Sequence, residues 1–449
     1  MGGRAWTSAE VAEALGVPAP APLTFAGVST DTRYPIPGTL FVALKGERFD
    51  AHEFLTLAKA QGAAAAVVRR GTGVVDGLPY FEVDDTLVAL GLLARARRRR
   101  LPPGSPVVAV TGSSGKTSAK EMIRAALATR WRVHATEGNL NNLVGVPLTI
   151  LSAPPETEAL VVEAGASLPG EIPALRAIIE PTVAVITNVG WAHVEGFGSL
   201  ERVLREKVAL AEGVPVAVVG TEPPALAAEA RRLTRTVVAG GGGAGADVHP
   251  DAADLDDEGR ARITWQGGTV TLPVPGFHQI DNAMLAVAAA REAGVEPASA
   301  LAALAAVRLP AGRGGLARVR DLLVIDDTYN ANPSSLRRAV DFAAWMAARR
   351  DRPLAVVVGT MLELGPESAR LHAEAAREIV ARAPALVAAV GDFVEAFAPY
   401  RHALGSRLIA APDADALGPR LKTALKGNEI VLLKASRGVA LERVLRHLS

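Results

Sequence analysis

Short aliphatic runs recur along this chain between longer stretches whose apolar positions fall at helical spacing. Four of them occupy 107–110, 160–162, 183–186 and 216–219, and four more lie at 322–325, 354–358, 386–390 and 430–433. Runs this short and uniformly apolar, alternating with helices, predict buried parallel strands covered by helices. The rhythm breaks twice. Leu101-Pro102-Pro103-Gly104-Ser105-Pro106 cannot continue a helix, and Arg308-Leu309-Pro310-Ala311-Gly312 marks a second junction. The expected domains are therefore 1–101, 102–308 and 309–449, in line with about 150 residues per domain.

Smaller features fit around that frame. The basic stretch 95–100 reads as a solvated helix end, and the glycine-rich 240–245 as a flexible loop tip without function. Ser8-Ala9-Glu10-Val11-Ala12-Glu13 reads as a capped amphipathic helix directly behind residues 1–6, where a leader would need an apolar stretch. The uncharged windows 138–155 and 263–280 are broken by Asn139, Asn141, Asn142 and Pro147, and by Gly267, Gly268, Pro273 and Pro275. Neither satisfies its backbone in lipid as a straight helix. The expectation is a soluble, cytoplasmic protein with no membrane insertion.

Composition narrows the chemistry. Lys+Arg is 48 and Asp+Glu 47, so the formal net charge of +1 argues against a coat for nucleic acid or anionic membrane. Cysteine is absent, which excludes disulfides, thiolate metal sites and cysteine nucleophiles. With 8 lysines among the 48 basic residues, a retained lysine is a weak marker for a site needing a compact or deprotonable ammonium.

The strongest motif is Val110-Thr111-Gly112-Ser113-Ser114-Gly115-Lys116-Thr117-Ser118, an apolar strand entering a small-residue loop that opens a helix. Such a loop converges backbone N–H groups on phosphate oxygens, with Lys116 on the β- and γ-phosphates and the Thr117 hydroxyl on Mg²⁺. Valine stands at position 110, where the full Walker pattern has glycine. Glu163 ends one later strand and His193 follows another; a carboxylate and an imidazole there can hold a second Mg²⁺ or Mn²⁺. Asp326-Asp327-Thr328-Tyr329-Asn330-Ala331-Asn332 delivers a dense polar cluster into a loop. Arg313 lies at the second junction, suited to a phosphate or equally to an interdomain ion pair.

Together these segments resemble the Mur ligases, ATP-dependent amide-forming enzymes of peptidoglycan precursor synthesis, from about residue 25 to the C-terminus. The resemblance rests on the P-loop, on Gly138-Asn139-Leu140-Asn141-Asn142, on Asn188 to Ser199, on Asp327 to Pro333, and on Lys434-Ala435-Ser436-Arg437-Gly438. At the N-terminus, Ser29-Thr30-Asp31-Thr32-Arg33 and the segment holding Lys45 are similar to a UDP-binding domain; by themselves they read as a polar hairpin. Three positions depart from the family pattern: Gln279 for Asn, Thr360 for Asp and Ala435 for Gly. The Thr360 change leaves the role of its loop open.

The resemblance implies an α/β protein of three domains: a small UDP-substrate domain, a central P-loop ATPase-type parallel sheet and a C-terminal Rossmann-like domain. It implies ATP contacts from Gly112 through Ser118 (Gly112, Ser113, Ser114, Gly115, Lys116, Thr117, Ser118), joined by Asn282, Arg313, Asp327, Tyr329 and Asn330. UDP-substrate contacts would come from Ser29, Thr30, Asp31, Arg33 and Lys45 and from Asn139, Asn141 and Asn142. Catalysis would fall to Lys116, Glu163, His193 and Lys207, with two Mg²⁺ expected on Thr117, Glu163, His193 and Lys207. Lys207 resembles the family lysine that carries a CO₂-derived carbamate. The implied substrates are ATP, UDP-MurNAc-tripeptide and D-Ala-D-Ala, handled by a monomer without nucleic-acid partners. The rivals are a Mur-type ligase adding a single amino acid, a folylpolyglutamate-synthetase-like enzyme, and a non-catalytic nucleotide switch that binds UDP-sugars.

Overall fold

Each aliphatic run forms a strand, because branched side chains suit an extended backbone buried on both faces. The structure, a computed structural model, describes residues 5–46 and 49–448; residues 1–4 of the N-terminal reading lie outside the described residues. In the N-terminal domain β1 (Val28–Ser29), β2 (Leu40–Val42), β3 (Ala65–Arg69) and β4 (Tyr80–Val83) pair in that order, all parallel. Helix α1 (Ser8–Leu15) is capped by Thr7, one residue before the serine expected to start it. The Thr7 hydroxyl accepts from Glu10 N at 3.2 Å and the Glu10 carboxylate accepts from Thr7 N at 2.8 Å, a capping box.

The central sheet is all parallel. Its strands in chain order are β5 (Val107–Thr111), β6 (Val133–Ala135), β7 (Ala159–Glu163), β8 (Val183–Ile186), β9 (Val216–Val219) and β10 (Thr236–Ala239). Their spatial order is β10-β9-β8-β5-β7-β6. The chain goes to one side of β5 for β6 and β7 and to the other for β8 to β10. That reversal opens a crevice at the carboxyl end of β5, where α/β sheets bind ligands.

A three-stranded antiparallel sheet, β11 (Ala252–Leu255), β12 (Arg260–Trp265) and β13 (Gly268–Pro275), occupies a stretch where no aliphatic run announced it. The C-terminal sheet runs β14 (Gly315–Val319), β15 (Leu322–Asp327), β19 (Ile430–Lys434), β16 (Leu354–Val358), β17 (Leu386–Val390) and β18 (Leu408–Ala411) across its width. The β14–β15 pair is antiparallel and the others are parallel.

The basic stretch corrects the sequence reading. It closes a helix, Thr86–Arg98, but that end is not solvated: Arg97 is 3% exposed and donates to Ala153 O and Pro154 O at 2.9 and 3.1 Å. Arg98 donates to Ile179 O at 3.0 Å and to Glu180 O at 2.5 Å, Arg99 pairs with Glu180, and Arg100 lies 4.4 Å over Trp6. Carbonyls at the ends of helical segments are natural acceptors for arginine forks. The run ties the N-terminal domain to the central one, and the apolar core continues through the same contact: Phe81, Leu90 and Leu93 share a cluster with Val107 and Leu160. The glycine-rich tip is also less free than expected, since Gly242 N donates to Asp281 Oδ1 at 2.8 Å. No helix among the described residues is long and apolar enough to cross a membrane.

Candidate active site between the central and C-terminal domains

The loop after β5 builds one wall. Gly112 has φ +144°, and a Cβ there would stand 2.0 Å from Thr187 Oγ1, so glycine is required for the loop to lie against the end of β8. Asn188 Oδ1 accepts from Ser114 N at 3.0 Å, and Ser113 Oγ bridges to Gly190. The loop leads into the helix Lys116–Leu127, whose N-cap Gly115 has no side chain to cover the open amides. Lys116 Nζ donates to Gly112 O at 2.8 Å, and burial pushes its pKa below the usual lysine value.

Thr117 and Glu163 meet directly, Oγ1 to Oε2 at 2.7 Å, and the other carboxylate oxygen accepts from Asn141 Nδ2 at 2.9 Å. Glu163 is 3% exposed at the last position of β7. A hydroxyl beside a buried carboxylate is a hard-oxygen donor set that fits Mg²⁺. Lys207, on the helix Leu200–Val208, is 1% exposed; its Nζ donates to Ala166 O at 3.2 Å, three residues beyond Glu163. Desolvation first, then the charge of Lys116, lowers its pKa to about 7.

The facing wall comes from the C-terminal domain. Arg313 lies 4.0 Å over the Tyr329 ring and Arg437 lies 5.5 Å from the same ring. The Arg313 Nε is buried without a hydrogen-bond partner, which favours an anion over an ion pair as its counterpart. Lys434, 2% exposed, holds Asp327 Oδ2 at 2.5 Å and Asn330 O at 2.9 Å. Asn332 Nδ2 reaches Ser113 O of the phosphate loop at 3.3 Å. The carboxylate of Glu363 pairs with His193 Nδ1, and that bond, followed by the charges of His193 and Lys116, holds its pKa below the usual carboxylate value.

These walls enclose a cavity of about 610 Å³ lined by Ser113 to Ser118, Asn139, Asn141, Asn142, Glu163, His193, Asn282, Arg313, Asp327, Tyr329 and Asn330. The expected nucleotide side chains thus converge. Asn139, Asn141 and Asn142, expected at the UDP-linked substrate, line this same cavity, and Asn141 is spent on Glu163. Ser29, Thr30, Asp31, Arg33 and Lys45 do not line it. There Arg33 grips Asp31 through Nε and Nη2, at 3.0 and 2.6 Å, and Lys45 pairs with Asp50 at 3.1 Å.

Sequence reasoning missed several lining residues: His278, Arg338, Glu363, Lys434 and Arg437. Lys434 and Arg437 sit inside the motif at 434–438, and Glu363 lies three residues after the family position Thr360, so a signal was present. His278 carried a signal too, as the neighbour of Gln279, whose side chain bridges His278 Nε2 and Asn282 Nδ2, each at 3.0 Å. Gln279 therefore still orients Asn282. Ala435 is fully buried in the core. Thr360 Oγ1 accepts from Asp392 N at 2.9 Å, so the substituted position has a structural task in holding its loop.

A Mur ligase middle domain matches residues 110–290, and a Mur ligase, glutamate ligase domain matches residues 312–437. The chain is 37% identical to the UDP-N-acetylmuramoyl-tripeptide–D-alanyl-D-alanine ligase of Escherichia coli, covering 95% of this chain and 94% of that one. The Bacillus subtilis protein of the same description is 35% identical, over 94% and 93% of the two chains. A crystal structure of MurF from Acinetobacter baumannii superposes with a TM-score of 0.89 at 30% identity, over 100% of this chain and 99% of that one. MurF from Thermotoga maritima in complex with ADP does so with a TM-score of 0.82 at 30% identity, over 94% and 96%.

Proposed function

The chain belongs to the Mur ligase family, and from that premise we propose that its cleft joins the free carboxylate of UDP-MurNAc-tripeptide to the amine of D-Ala-D-Ala, at the expense of ATP. It is an ATP-dependent ligase of peptidoglycan precursor synthesis. The observation that carries the substrate assignment is the near-full-length identity with D-alanyl-D-alanine ligases, combined with a single cleft holding phosphate-loop and C-terminal cations together.

A carboxylate is a poor electrophile, so one of its oxygens first takes the terminal phosphoryl group of ATP, the β–γ anhydride bond breaks and ADP is left. Lys116, the loop amides and the start of the following helix bind the triphosphate and hold its terminal phosphoryl group as negative charge shifts in the transition state. Arg313 enters from the other domain with an unpartnered Nε suited to a phosphoryl oxygen. Thr117, Glu163 and His193 would hold Mg²⁺, which when bound neutralises phosphate charge and favours anionic ligands nearby. Lys207 is proposed to carry a carbamate, turning a buried cation into an anion on the metal side of the cleft. Closure of the two walls keeps water from the acyl phosphate until the dipeptide amine attacks it. Collapse of the tetrahedral intermediate then releases phosphate and leaves the amide.

The proposed domain limits are 101/102 and 308/309, supported by sheets that fall wholly within 6–83, 107–275 and 315–434. Ser29, Thr30, Asp31, Arg33 and Lys45 are proposed to receive the UDP moiety, and Asn139 and Asn142 the sugar-peptide nearer the cleft. We take the enzyme to act as a cytoplasmic monomer, since one chain supplies both walls of the cleft and ATP is a cytoplasmic substrate.

The route through an acyl phosphate has a direct test. With ¹⁸O in the terminal carboxylate of UDP-MurNAc-tripeptide, the released inorganic phosphate should carry one labelled oxygen per turnover by mass spectrometry. Phosphate free of label, with amide formed, would exclude that intermediate.

A further inference from the structure

We propose that Glu363 is a positioning residue for the reaction: from the C-terminal domain it reaches across the cleft and fixes the His193 imidazole, so that docking of the two domains completes the site. What the completed site does rests on the ligase reading; the contact itself does not.

The contact is between a loop corner and a loop corner. Glu363 has φ +62° and His193 φ +57°, left-handed conformations that side-chain-bearing residues rarely adopt. A half-exposed ion pair gives too little stability to explain keeping two such corners, and backbone strain of this kind collects at functional sites. The Glu363 corner is held from behind by its own domain. Met361 N donates to the buried His372 Nε2 at 2.9 Å, and Leu362 N donates to Ser436 Oγ at 2.9 Å. In front it docks on backbone just past His193: Glu195 N donates to Glu363 O at 3.1 Å. Gly365 lies so close that a Cβ there would meet Glu195 Cα at 3.1 Å.

The carboxylate is aimed at one ring nitrogen, Nδ1, which Ser167 Oγ also approaches at 3.3 Å. A carboxylate can only accept, so it holds a proton on Nδ1 and fixes how the ring, and with it Nε2, is turned in the cleft. Without Glu363 the hydroxyl of Ser167, able to donate or accept, imposes no such choice. The ring orientation of a central-domain residue is thus set by the C-terminal domain.

The test uses the full-length enzyme with Glu363→Ala and the near-isosteric Glu363→Gln. Long-range ¹H–¹⁵N spectra of histidine-labelled protein, assigned with His193→Asn, read the ring without any substrate. In the wild type the His193 Nδ1 should report a hydrogen-bonded N–H; Glu363→Ala should lose that signature. Turnover should fall roughly ten- to a hundredfold, as for other partners that orient a ligating histidine, with KM for ATP within about twofold because the phosphate loop is untouched. Glu363→Gln, which keeps an acceptor for Nδ1–H, should recover part of both. An unchanged ring in Glu363→Ala overturns the proposal whatever the turnover, and so does a changed ring with kcat within about twofold of wild type. If the wild type makes no amide from D-Ala-D-Ala, the ligase reading fails by itself, and the ring spectra still decide the contact.

Discussion

Lys207 shows how much one residue's surroundings decide. It is sealed from solvent, with the Ala166 carbonyl at 3.2 Å and the Phe197 ring 5.6 Å away. An unfolded lysine keeps its proton to about 10.5, whereas this one releases it near 7. Between those values the unfolded chain binds more protons, so the cost of burying the bare lysine is greatest below pH 7 and fades as the pH rises toward 10.5. Neutral amine, which carbamate formation needs, is thus present in quantity near neutrality and scarce in acid. Lys207→Ala should lower turnover by more than about a hundredfold, and small carboxylic acids at high concentration should restore part of it. Lys207→Arg, permanently charged, should be as inactive as the alanine variant; near-normal turnover in it would refute the carbamate. This lysine was legible because lysines are scarce here and its motif is recognisable. Glu363 lay beside a recognised family position, but its role was not legible, because nothing local shows that folding sets this exposed loop glutamate against a histidine 170 positions earlier.

At the scale of elements, strands buried on both faces announced themselves, since their sequence has no polar face to confuse with a helix. The antiparallel strands Ala252–Leu255 to Gly268–Pro275 did not: their exposed alternate positions carry arginine, aspartate and threonine, and two prolines interrupt the pattern. The arginine run at the end of Thr86–Arg98 was misread for a different reason. Its partners are backbone carbonyls of residues 153, 154, 179 and 180, which no local pattern reveals. Arg97→Ala would leave one buried and one half-buried acceptor without this donor, at a cost of about 1–3 kcal/mol. Urea unfolding should show that loss as a lower midpoint, with turnover of the folded enzyme at saturating substrate unchanged. A midpoint equal to wild type would return the run to the solvated surface.

The whole molecule brings a phosphate loop, a buried carboxylate–hydroxyl pair and a set of C-terminal cations into one cleft of about 610 Å³. The family and the order of domains were legible in the motifs. The meeting of the walls was not, because Ser113 and Asn332 are 219 residues apart in sequence and become neighbours through the docking of whole domains. Such a cleft serves any ligase that couples ATP to an amine, so the choice of amine is the central claim. Phosphate release should be measured with ATP, Mg²⁺ and UDP-MurNAc-tripeptide, adding D-Ala-D-Ala in one arm and single amino acids in the others. The account requires turnover with the dipeptide, with UDP-MurNAc-pentapeptide as product, and little more than background with D-alanine, L-lysine, diaminopimelate or glutamate. Turnover that depends on a single amino acid, with the dipeptide inert, would contradict it.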